Sequence, residues 1–322
     1  MRPVRRIAWL ALLLPSCAGA PPAPVKPLRD FRGVLHVHSF HSHDSKGTFE
    51  EILAACRKRK IDFVCMTDHP PKGDPDRSLR EGWRGLHDGV LFIQGHEYSD
   101  QLLGVGIRET VHGTRQEKID AIHAQGGLAF VCHPEEVKEW DFDRFDGMEI
   151  WNTHARVKEI QKDLKQMGAL LNAAKKDLEQ AWLSILKRPD ANLAKWDELN
   201  AKRLVVGIAG NDAHQNVNVL GLQIDPYDVS LGFVTTHVLA EELTEESVLA
   251  ALKAGRVYVA FEFVAPADPR WAVPERILEA TGEAGHGRDA GVELVGIMDG
   301  FVRYEATRDG KLWQFGNPMR PK

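Results

Sequence analysis

Residues 33–69 read GVLHVHSFHSHDSKGTFEEILAACRKRKIDFVCMTDH, and the fold prediction starts from the pattern in this stretch. Residues 33–38 and 62–67 are short apolar runs of strand length. The segment between them, residues 48–59, places three apolar side chains at helical spacing, namely Ile52, Leu53 and Cys56. A strand, a helix and a second strand in this order predict a βαβ unit with parallel strands and a right-handed crossover.

The same alternation continues along most of the chain. Further strand-like runs occur at residues 90–95, 128–132, 148–151, 205–209 and 233–239. Seven strands in this rhythm predict an α/β fold with a closed or nearly closed parallel barrel rather than an open sheet. No GxGxxG motif follows the first strand, which argues against a dinucleotide-binding fold.

The barrel is expected to span residues 31–264, with two additions. Residues 155–202 are rich in Lys, Leu, Ala, Gln and Glu, so they are predicted to form a helical insertion of two helices joined near residues 188–190. Residues 265–322 begin with a proline-rich segment, and residues 293–315 are predicted to form a few strands. This C-terminal extension is too short for an independent core.

The N-terminal residues are typical of a targeting segment. Three arginines precede the apolar run 7–14, which is too short to span a bilayer. Residues 14–17, Leu-Pro-Ser-Cys, are similar to a bacterial lipobox, so residues 1–17 are interpreted as a signal with a lipid on Cys17, and residues 18–30 as a linker. Pro15 is unusual in a lipobox, which leaves plain cleavage near residues 18–20 open. The expected location is outside the cytoplasm, in the periplasm or anchored to a bacterial membrane by the lipid.

Charge and cysteine content exclude some functions. The chain has 322 residues and a formal net charge of −5, so there is no whole-surface attraction to nucleic acid and no stable nucleic-acid complex is expected. The sequence has four cysteines and no CxxC pair, so neither a zinc ribbon nor a disulfide framework is indicated.

Histidines and carboxylates follow the predicted strands at their C-terminal ends. The motifs are His36-Val37-His38, His41-Ser42-His43-Asp44, Thr67-Asp68-His69, Gly95-His96-Glu97, Cys132-His133-Pro134 and Asn211-Asp212-Ala213-His214. In a β/α barrel these ends meet at one face, so imidazole and carboxylate groups from separate strands are expected in one small volume. Such groups suit manganese, iron or zinc better than calcium. A polar, hydrogen-bonded barrel mouth without metal is the alternative.

These ordered motifs resemble those of the polymerase and histidinol phosphatase (PHP) family over about residues 31–261. The resemblance implies a distorted seven-stranded, TIM-like (β/α)7 barrel with two or three divalent metal ions, Mn²⁺, Fe²⁺ or Zn²⁺. It implies three sets of metal ligands: His36, His38, Glu97 and Asp212 for the first ion, Glu97 and His133 for a second, and His43, His69 and His214 for another. Many family members have a histidine where this chain has Gln101, so the second ion is expected to be weakly held or absent unless His96 or His112 substitutes.

Two further residues are candidates for catalytic roles. Asp68 is predicted to orient a neighbouring ligand through its ring N–H, with capping of the following loop as an equal alternative. His154 follows the fifth strand at the same face, which predicts substrate contact or support of a ligand, although an ordinary helix-start role is open. The remaining histidines and nearby acids are interpreted as loop, structural or surface residues: His41, Asp44, His87, His123, His237 and His286. Cys132 is expected to point away from the site if His133 points in.

The resemblance and the ligand set together predict a metal-dependent phosphoesterase. The expected nucleophile is a hydroxide shared by two cations, which lower its pKa and neutralise phosphoryl charge. The expected substrates are small phosphorylated or nucleotide-type phosphomonoesters or phosphodiesters, with 3′,5′-nucleotide phosphatase or 5′–3′ exonuclease-like activity as examples. The alternatives are a metal-dependent hydrolase of carbamate, amide or carboxyl ester bonds, and a non-catalytic, metal-binding PHP domain.

Overall fold

The computed structural model describes residues 27–219, 221–269, 290–296 and 302–318. The predicted signal, Cys17 and His286 lie outside the described residues, so these predictions remain untested. Within the described part of the chain, no helix is both long enough and apolar enough to cross a bilayer.

Strands and helices alternate through most of the described chain, which confirms the α/β class. The strands are β1 Arg29–Val37, β2 Phe63–Met66, β3 Gly85–His87, β4 Val90–Ile93, β5 Gly95–Tyr98, β6 Leu102–Val105, β7 Leu128–Val131, β8 Gly147–Asn152, β9 Val206–Ala213, β10 Asn218–Val219, β11 Leu222–Gln223, β12 Val234–Ala240, β13 Val257–Phe261, β14 Ala290–Gly296, β15 Val302–Arg308 and β16 Lys311–Gly316. The helices are α1 Phe49–Arg59, α2 Arg77–Glu81, α3 Arg115–Ala124, α4 Thr153–Gln161, α5 Leu164–Ala174, α6 Leu178–Ser184, α7 Asp190–Asn200, α8 Tyr227–Phe233 and α9 Glu245–Lys253.

The strands nearest the site form a circuit of hydrogen-bonded neighbours. The pairs β1–β2, β2–β4, β7–β8, β8–β9 and β9–β1 are parallel. Gln94 alone separates β4 from β5, and β5 pairs with β6, which pairs with β7. Because β6 runs antiparallel to both β5 and β7, the prediction of a uniformly parallel barrel is wrong at this position.

The run at residues 233–239, predicted as a seventh parallel strand, forms β12 with the opposite direction. β12 pairs antiparallel with the first half of β1, from Arg29 opposite Ala240 to Gly33 opposite Thr236. Further along β1, Leu35 lies opposite Gly210 of β9. β12 therefore lies beside the start of β1 and continues into the antiparallel order β12-β13-β16-β15-β14.

The two additions to the barrel contact each other. The insertion contains four helices, α4 to α7, rather than the predicted two. In the C-terminal extension, Arg303 is 1% exposed and its guanidinium donates to both carboxylate oxygens of Asp197 on α7, at 2.6 and 2.9 Å. The Asn317 side-chain amide, also in the extension, donates to the Gly207 carbonyl of β9 at 2.9 Å. The extension thus shares its buried contacts with the rest of the molecule.

A capping box fixes the start of α1 and therefore the end of the loop that precedes it. The Thr48 side chain accepts from the Glu51 amide, and the Glu51 carboxylate accepts from the Thr48 amide. The helix then buries Ile52 and Cys56 against the sheet. The loop at residues 39–47 is consequently held between β1 and a packed helix, at the C-terminal end of β1.

Candidate metal centre

Side chains from five strand ends converge at one place. They form three overlapping groups, in each of which the candidate ligand atoms all lie within 4.8 Å of one another. The groups are His36, His38, Glu97 and Asp212; Glu97, Cys132 and His133; and His38, Asp44, His69 and His214. Because Glu97 and His38 each belong to two groups, the three positions are adjacent.

The two carboxylate oxygens of Glu97 face different groups. Oε2 lies 3.1 Å from His36 Nε2, 3.3 Å from His38 Nε2 and 3.4 Å from His69 Nε2. Oε1 lies 3.2 Å from His133 Nε2. One carboxylate is therefore shared between two adjacent groups of candidate ligands.

Most of the histidines in the cluster use Nδ1 for a hydrogen bond and leave Nε2 for the centre. The Nδ1 contacts are His36 to Glu149 Oε1 (2.6 Å), His38 to Ser42 Oγ (2.9 Å), His69 to the Glu97 carbonyl (3.3 Å) and His214 to the Asp212 carbonyl (2.9 Å). A partner on one ring nitrogen fixes the tautomer and orientation that metal ligation by the other requires.

Three of the remaining ring nitrogens are buried without hydrogen bonds. The Nε2 atoms of His36, His38 and His214 have no hydrogen-bond partner. His36 Nε2 nevertheless lies 3.4 Å from Asp212 Oδ1. Two acceptor atoms whose lone pairs point at the same position lie this close to each other without the angles of a hydrogen bond. Buried polar atoms without a hydrogen-bond partner are otherwise rare. The residues present therefore fit divalent cations, and imidazole with carboxylate suits Mn, Fe or Zn.

The electrostatics of the cluster match this interpretation. Burial alone would raise the pKa of Glu97, but the surrounding imidazoles, His36 first, outweigh burial and hold this pKa well below its usual range. Burial alone would lower the pKa of His133, but the Glu135 and Glu97 carboxylates beside its ring outweigh burial and raise this pKa to about 11. The carboxylates thus attract positive charge, which either protons on the histidines or bound cations supply. Metal binding must therefore displace protons from the histidines.

Three residues of the cluster have left-handed backbone conformations. The φ angles are 63° for His36, 45° for His133 and 49° for Asp212. Residues other than glycine rarely adopt such angles, and strain of this kind concentrates at functional sites. The register of β1 against β2 and β9 shifts at His36, so the His36 side chain is aimed by an irregularity in its strand.

Glu149 is an important residue of the site that the sequence prediction missed. It is fully buried in β8, its Oε1 lies 2.6 Å from His36 Nδ1, and its Oε2 accepts from the His133 amide at 3.0 Å. A Cβ on Gly210 would come within 2.0 Å of Oε1, so glycine there makes room for this carboxylate. The sequence did contain a signal for this residue, because Glu149 is the one charged residue in the apolar run 148–151.

The loop after β1 supplies Asp44 rather than His43. The His43 side chain is 71% exposed and is not part of any of the three groups. Asp44 Oδ2 instead lies 3.3 Å from His214 Nε2 and 3.5 Å from His69 Nε2. The prediction that places His43 with His69 and His214 is thus not matched by the geometry, and Asp44 occupies that position.

Asp68 contacts the backbone rather than a histidine ring. It is fully buried, and its two oxygens accept from the amide and the hydroxyl of Ser39, at 2.6 and 2.8 Å. Asp68 thus caps the loop that follows β1, whereas the sequence prediction named the loop that follows Asp68 itself. By holding the residue that follows His38, Asp68 fixes the path of the loop toward Asp44.

Cys132 points into the site, contrary to expectation. Its Sγ lies 3.7 Å from Glu97 Oε1. The expectation assumed regular alternation along a strand, but β7 ends at Val131 and His133 is left-handed, so consecutive side chains reach the same side.

Gln101 lines the same cleft as Glu97 and His133, but its side chain has other hydrogen-bond partners, and neither possible substitute, His96 or His112, belongs to the three ligand groups. Gln101 has its side-chain oxygen 3.0 Å from an Arg115 guanidinium nitrogen. His96 faces Ser78, with Nε2 2.8 Å from the hydroxyl, and burial lowers its pKa to about 4. His112 is exposed.

A cleft with a volume of about 290 Å³ opens onto the cluster. His154 lines it, with its ring centroid 5.3 Å from that of His214, and burial lowers the pKa of His154 to about 4, which leaves the ring neutral at pH 7. Lys158, one helical turn further along α4, adds a cation to the lining. His154 and Lys158 therefore face whatever occupies the cleft.

No family model matches the sequence, and no curated protein matches it. Solved structures similar to this chain include a two-domain protein containing a predicted PHP-like metal-dependent phosphoesterase from Bacteroides vulgatus ATCC 8482. It is 15% identical, over 90% of this chain and 80% of that chain, with a TM-score of 0.51. An amidohydrolase from Chromobacterium violaceum, with bound SO4 and no metal, is 13% identical over 56% of this chain and 87% of that chain, with a TM-score of 0.30. The first comparison shows a shared fold, and the second is too distant to support an argument.

Proposed function

We propose that this protein is a PHP-type, metal-dependent hydrolase that cleaves phosphoester bonds in small phosphorylated or nucleotide-type substrates. The observation that carries the proposal is the overlap of three ligand groups through Glu97 and His38. Cations held at adjacent positions can act on both the attacking and the leaving oxygen of a phosphoryl group, which is the usual role of such centres. The predicted PHP-like phosphoesterase in the fold neighbour agrees with this proposal.

The residues of the chain have separate tasks in this function. The histidines and carboxylates of the cluster would hold two or three divalent ions, which supply a nucleophilic hydroxide at neutral pH and neutralise phosphoryl charge. Glu149 holds the His36 ring in place. His154, neutral and at the cleft wall, is placed to exchange a hydrogen bond with a phosphoryl oxygen or the leaving group, and Lys158 is placed to attract an anionic substrate.

A carbonyl-directed hydrolase is the main rival. A single cation suffices to polarise a carbonyl, whereas a phosphoryl group spreads charge over several oxygens. The adjacent groups and Lys158 therefore favour phosphoesters. Side-by-side assays of an aryl phosphomonoester, an aryl phosphodiester and an aryl carbamate distinguish the two, and turnover of the carbamate alone would contradict the proposal.

Ligand substitutions test the site itself. His36→Ala and Asp212→Ala should each lower phosphoester hydrolysis by ~10³-fold or more, because an open coordination shell misplaces the nucleophile. His87→Ala is the control, since its ring stacks on Trp83, away from the cluster. Equal activity of all three variants would show that hydrolysis does not depend on this centre.

We also propose that the barrel acts outside the cytoplasm, held to a bacterial membrane by a lipid on Cys17. This proposal rests on the sequence of residues 1–17 alone. Cys17→Ser should move the protein from the membrane fraction to the soluble exported fraction. If Cys17→Ser remains in the membrane fraction, the lipid anchor is refuted.

A further inference from the structure

We propose that Cys132 is a thiolate ligand of the second metal position, together with Glu97 and His133. This inference rests on the metal centre of the proposed function, but not on which bond the enzyme cleaves. It assigns a sulfur ligand to a site whose other predicted ligands are imidazole and carboxylate.

The geometry places the sulfur among the other ligand atoms. Cys132 is fully buried, and its Sγ lies 3.7 Å from Glu97 Oε1, the same oxygen that lies 3.2 Å from His133 Nε2. The three ligand atoms are all within 4.8 Å of one another. The other oxygen of this carboxylate faces His36 Nε2, which is buried without a hydrogen-bond partner. Cys132 is therefore part of a converging set of donors and not an isolated thiol.

The backbone explains why two consecutive residues face one centre. The Cys132 amide donates to the Gln101 carbonyl at 3.1 Å, which ties the end of β7 to the turn between β5 and β6. His133 then adopts a left-handed conformation, with φ of 45°. Regular alternation would send one of the two side chains to the far face.

The second position lacks another donor from the side where related proteins have a histidine. The Gln101 amide oxygen accepts from Arg115, and its amide nitrogen donates to the Ser99 carbonyl at 3.2 Å. His96 is hydrogen-bonded to Ser78 on the other face of β5. Without Cys132, the position has Glu97, His133 and Asp212, whose Oδ2 lies 3.3 Å from His133 Nε2. The thiolate adds a fourth donor to this set.

Sulfur ligation has two further consequences for the centre. The thiol loses its proton to solvent as the metal–sulfur bond forms, because a coordinating thiol is deprotonated. A soft thiolate also favours zinc or iron over manganese at this position. If Cys132 is instead a simple S–H donor to Glu97, neither consequence follows.

Cobalt substitution tests the assignment without relying on activity. Metal-stripped full-length protein is titrated with Co²⁺ while bound cobalt and the near-ultraviolet absorption are measured. Wild-type protein should develop a thiolate-to-cobalt charge-transfer band as the weaker site fills. Cys132→Ala should lose the band, bind cobalt at that site ~10-fold or more weakly, and lose part of its preference for zinc over manganese.

Cys65→Ala is the matched control, since Cys65 is equally buried in the same hydrophobic cluster as Cys132 but belongs to none of the three ligand groups. It should keep the band and the affinity. Wild-type protein that binds two or more cobalt ions without the band would overturn the thiolate ligand while the metal centre stands, and a band that persists in Cys132→Ala would also overturn it. A failure to bind cobalt at all would refute both this inference and the proposed function.

Discussion

Asp44 and His43 are adjacent in one loop, but they differ in what they can do for the centre. The Asp44 carboxylate faces His69 and His214, whereas the His43 ring lies in solvent. His214 and His69 supply the largest favourable effects on the Asp44 carboxylate, whose pKa is far below its usual range although burial opposes this. At the scale of single residues, position in the loop therefore decides which side chain is a ligand.

Substituting these two neighbours separately should give opposite results. Asp44→Ala removes the one carboxylate from its group, so metal at that position should bind ~10-fold or more weakly and stoichiometry should fall. His43→Ala should retain wild-type stoichiometry. Elemental analysis after dialysis against limited metal measures both, and a loss of metal in His43→Ala alone would restore the assignment made from the sequence.

His237 is a buried titratable residue that belongs to none of the three ligand groups. Its Nδ1 lies 3.0 Å from Asp30 Oδ1, and its Nε2 lies 2.9 Å from Glu262 Oε1. Burial alone would lower the pKa of His237, but these hydrogen bonds outweigh burial and raise the pKa above its ordinary value. The two carboxylates thus favour the protonated form of the ring, and these contacts match the structural role that was one of the predicted alternatives for His237.

His237→Gln should change the pH dependence of stability in a defined direction. Because the folded-state pKa is raised, the stabilisation from protonated His237 is complete below its unfolded pKa of ~6.5 and is lost as pH rises through the folded pKa. The free energies of unfolding of wild type and variant should differ by ~3 kcal/mol near pH 6, and the difference should shrink as pH increases. Urea unfolding of metal-stripped protein measures this, with His87→Gln as control, and a difference that is independent of pH would contradict the linkage.

At the junction between β8 and α4, the Asn152 side chain makes hydrogen bonds in both elements. Asn152 caps α4 by accepting from the Ala155 amide at 2.8 Å, and its side-chain amide donates to Glu149 Oε2 at 2.9 Å. Glu149 in turn holds His36. The start of the helix and the orientation of a metal ligand therefore depend on the same side chain.

Asn152→Ala should consequently affect stability and metal affinity together. Loss of the helix cap should lower the free energy of unfolding by ~1 kcal/mol. Loss of the hydrogen-bond donor to Glu149 should weaken metal binding ~10-fold. Thr244→Ala removes the cap of α9, where Thr244 accepts from the Ser247 amide at 3.2 Å, and should cost similar stability without changing metal affinity. Unchanged metal affinity in both variants would show that Asn152 acts only as a cap.

The sequence predicted seven strands of the barrel and a few strands in the C-terminal extension, but it predicted neither β6 nor the direction of β12. A pattern of apolar residues locates a strand, whereas direction depends on the connection. Three residues, 99–101, join β5 to β6, and so short a link cannot make a parallel crossover; this clue to an antiparallel β6 was available. β12 gave no such clue, because a helix, α9, lies between it and its antiparallel partner β13.

Prediction of the site was limited by local backbone geometry. Histidines and acids at strand ends indicated the cluster, since such ends meet at one face of a barrel. Alternation along a strand could not place Cys132, because the left-handed His133 breaks it. Spacing within a loop could not choose Asp44 over His43. These outcomes depend on tertiary contacts that no single stretch of sequence contains.

At the scale of the whole molecule, one buried guanidinium connects the C-terminal extension with the helical insertion. Besides its bonds to Asp197, Arg303 donates to Glu305 at 2.6 Å, and its guanidinium lies 5.3 Å from the centre of the Trp196 ring. Glu305 also accepts from Arg188, which precedes α7. Residues more than 100 positions apart in the sequence therefore share one network.

Arg303→Ala should destabilise the whole molecule while leaving the metal centre intact. It leaves Asp197 without its bidentate partner, and removing one member of a buried pair costs ~3–5 kcal/mol. The Asp197 side chain is 29% exposed, so water solvates part of the orphaned charge and we expect a loss of ~3 kcal/mol. Arg144→Ala breaks an ion pair with Asp120 in which the Arg144 side chain is 64% exposed, so it should lower the free energy of unfolding by less than ~1 kcal/mol.

Urea midpoints and metal titrations on the same samples test both variants. If Arg303→Ala unfolds at the wild-type midpoint, the extension does not stabilise the barrel; if it loses metal affinity while still folded, the extension and the metal centre are coupled more directly than their separation in the structure indicates.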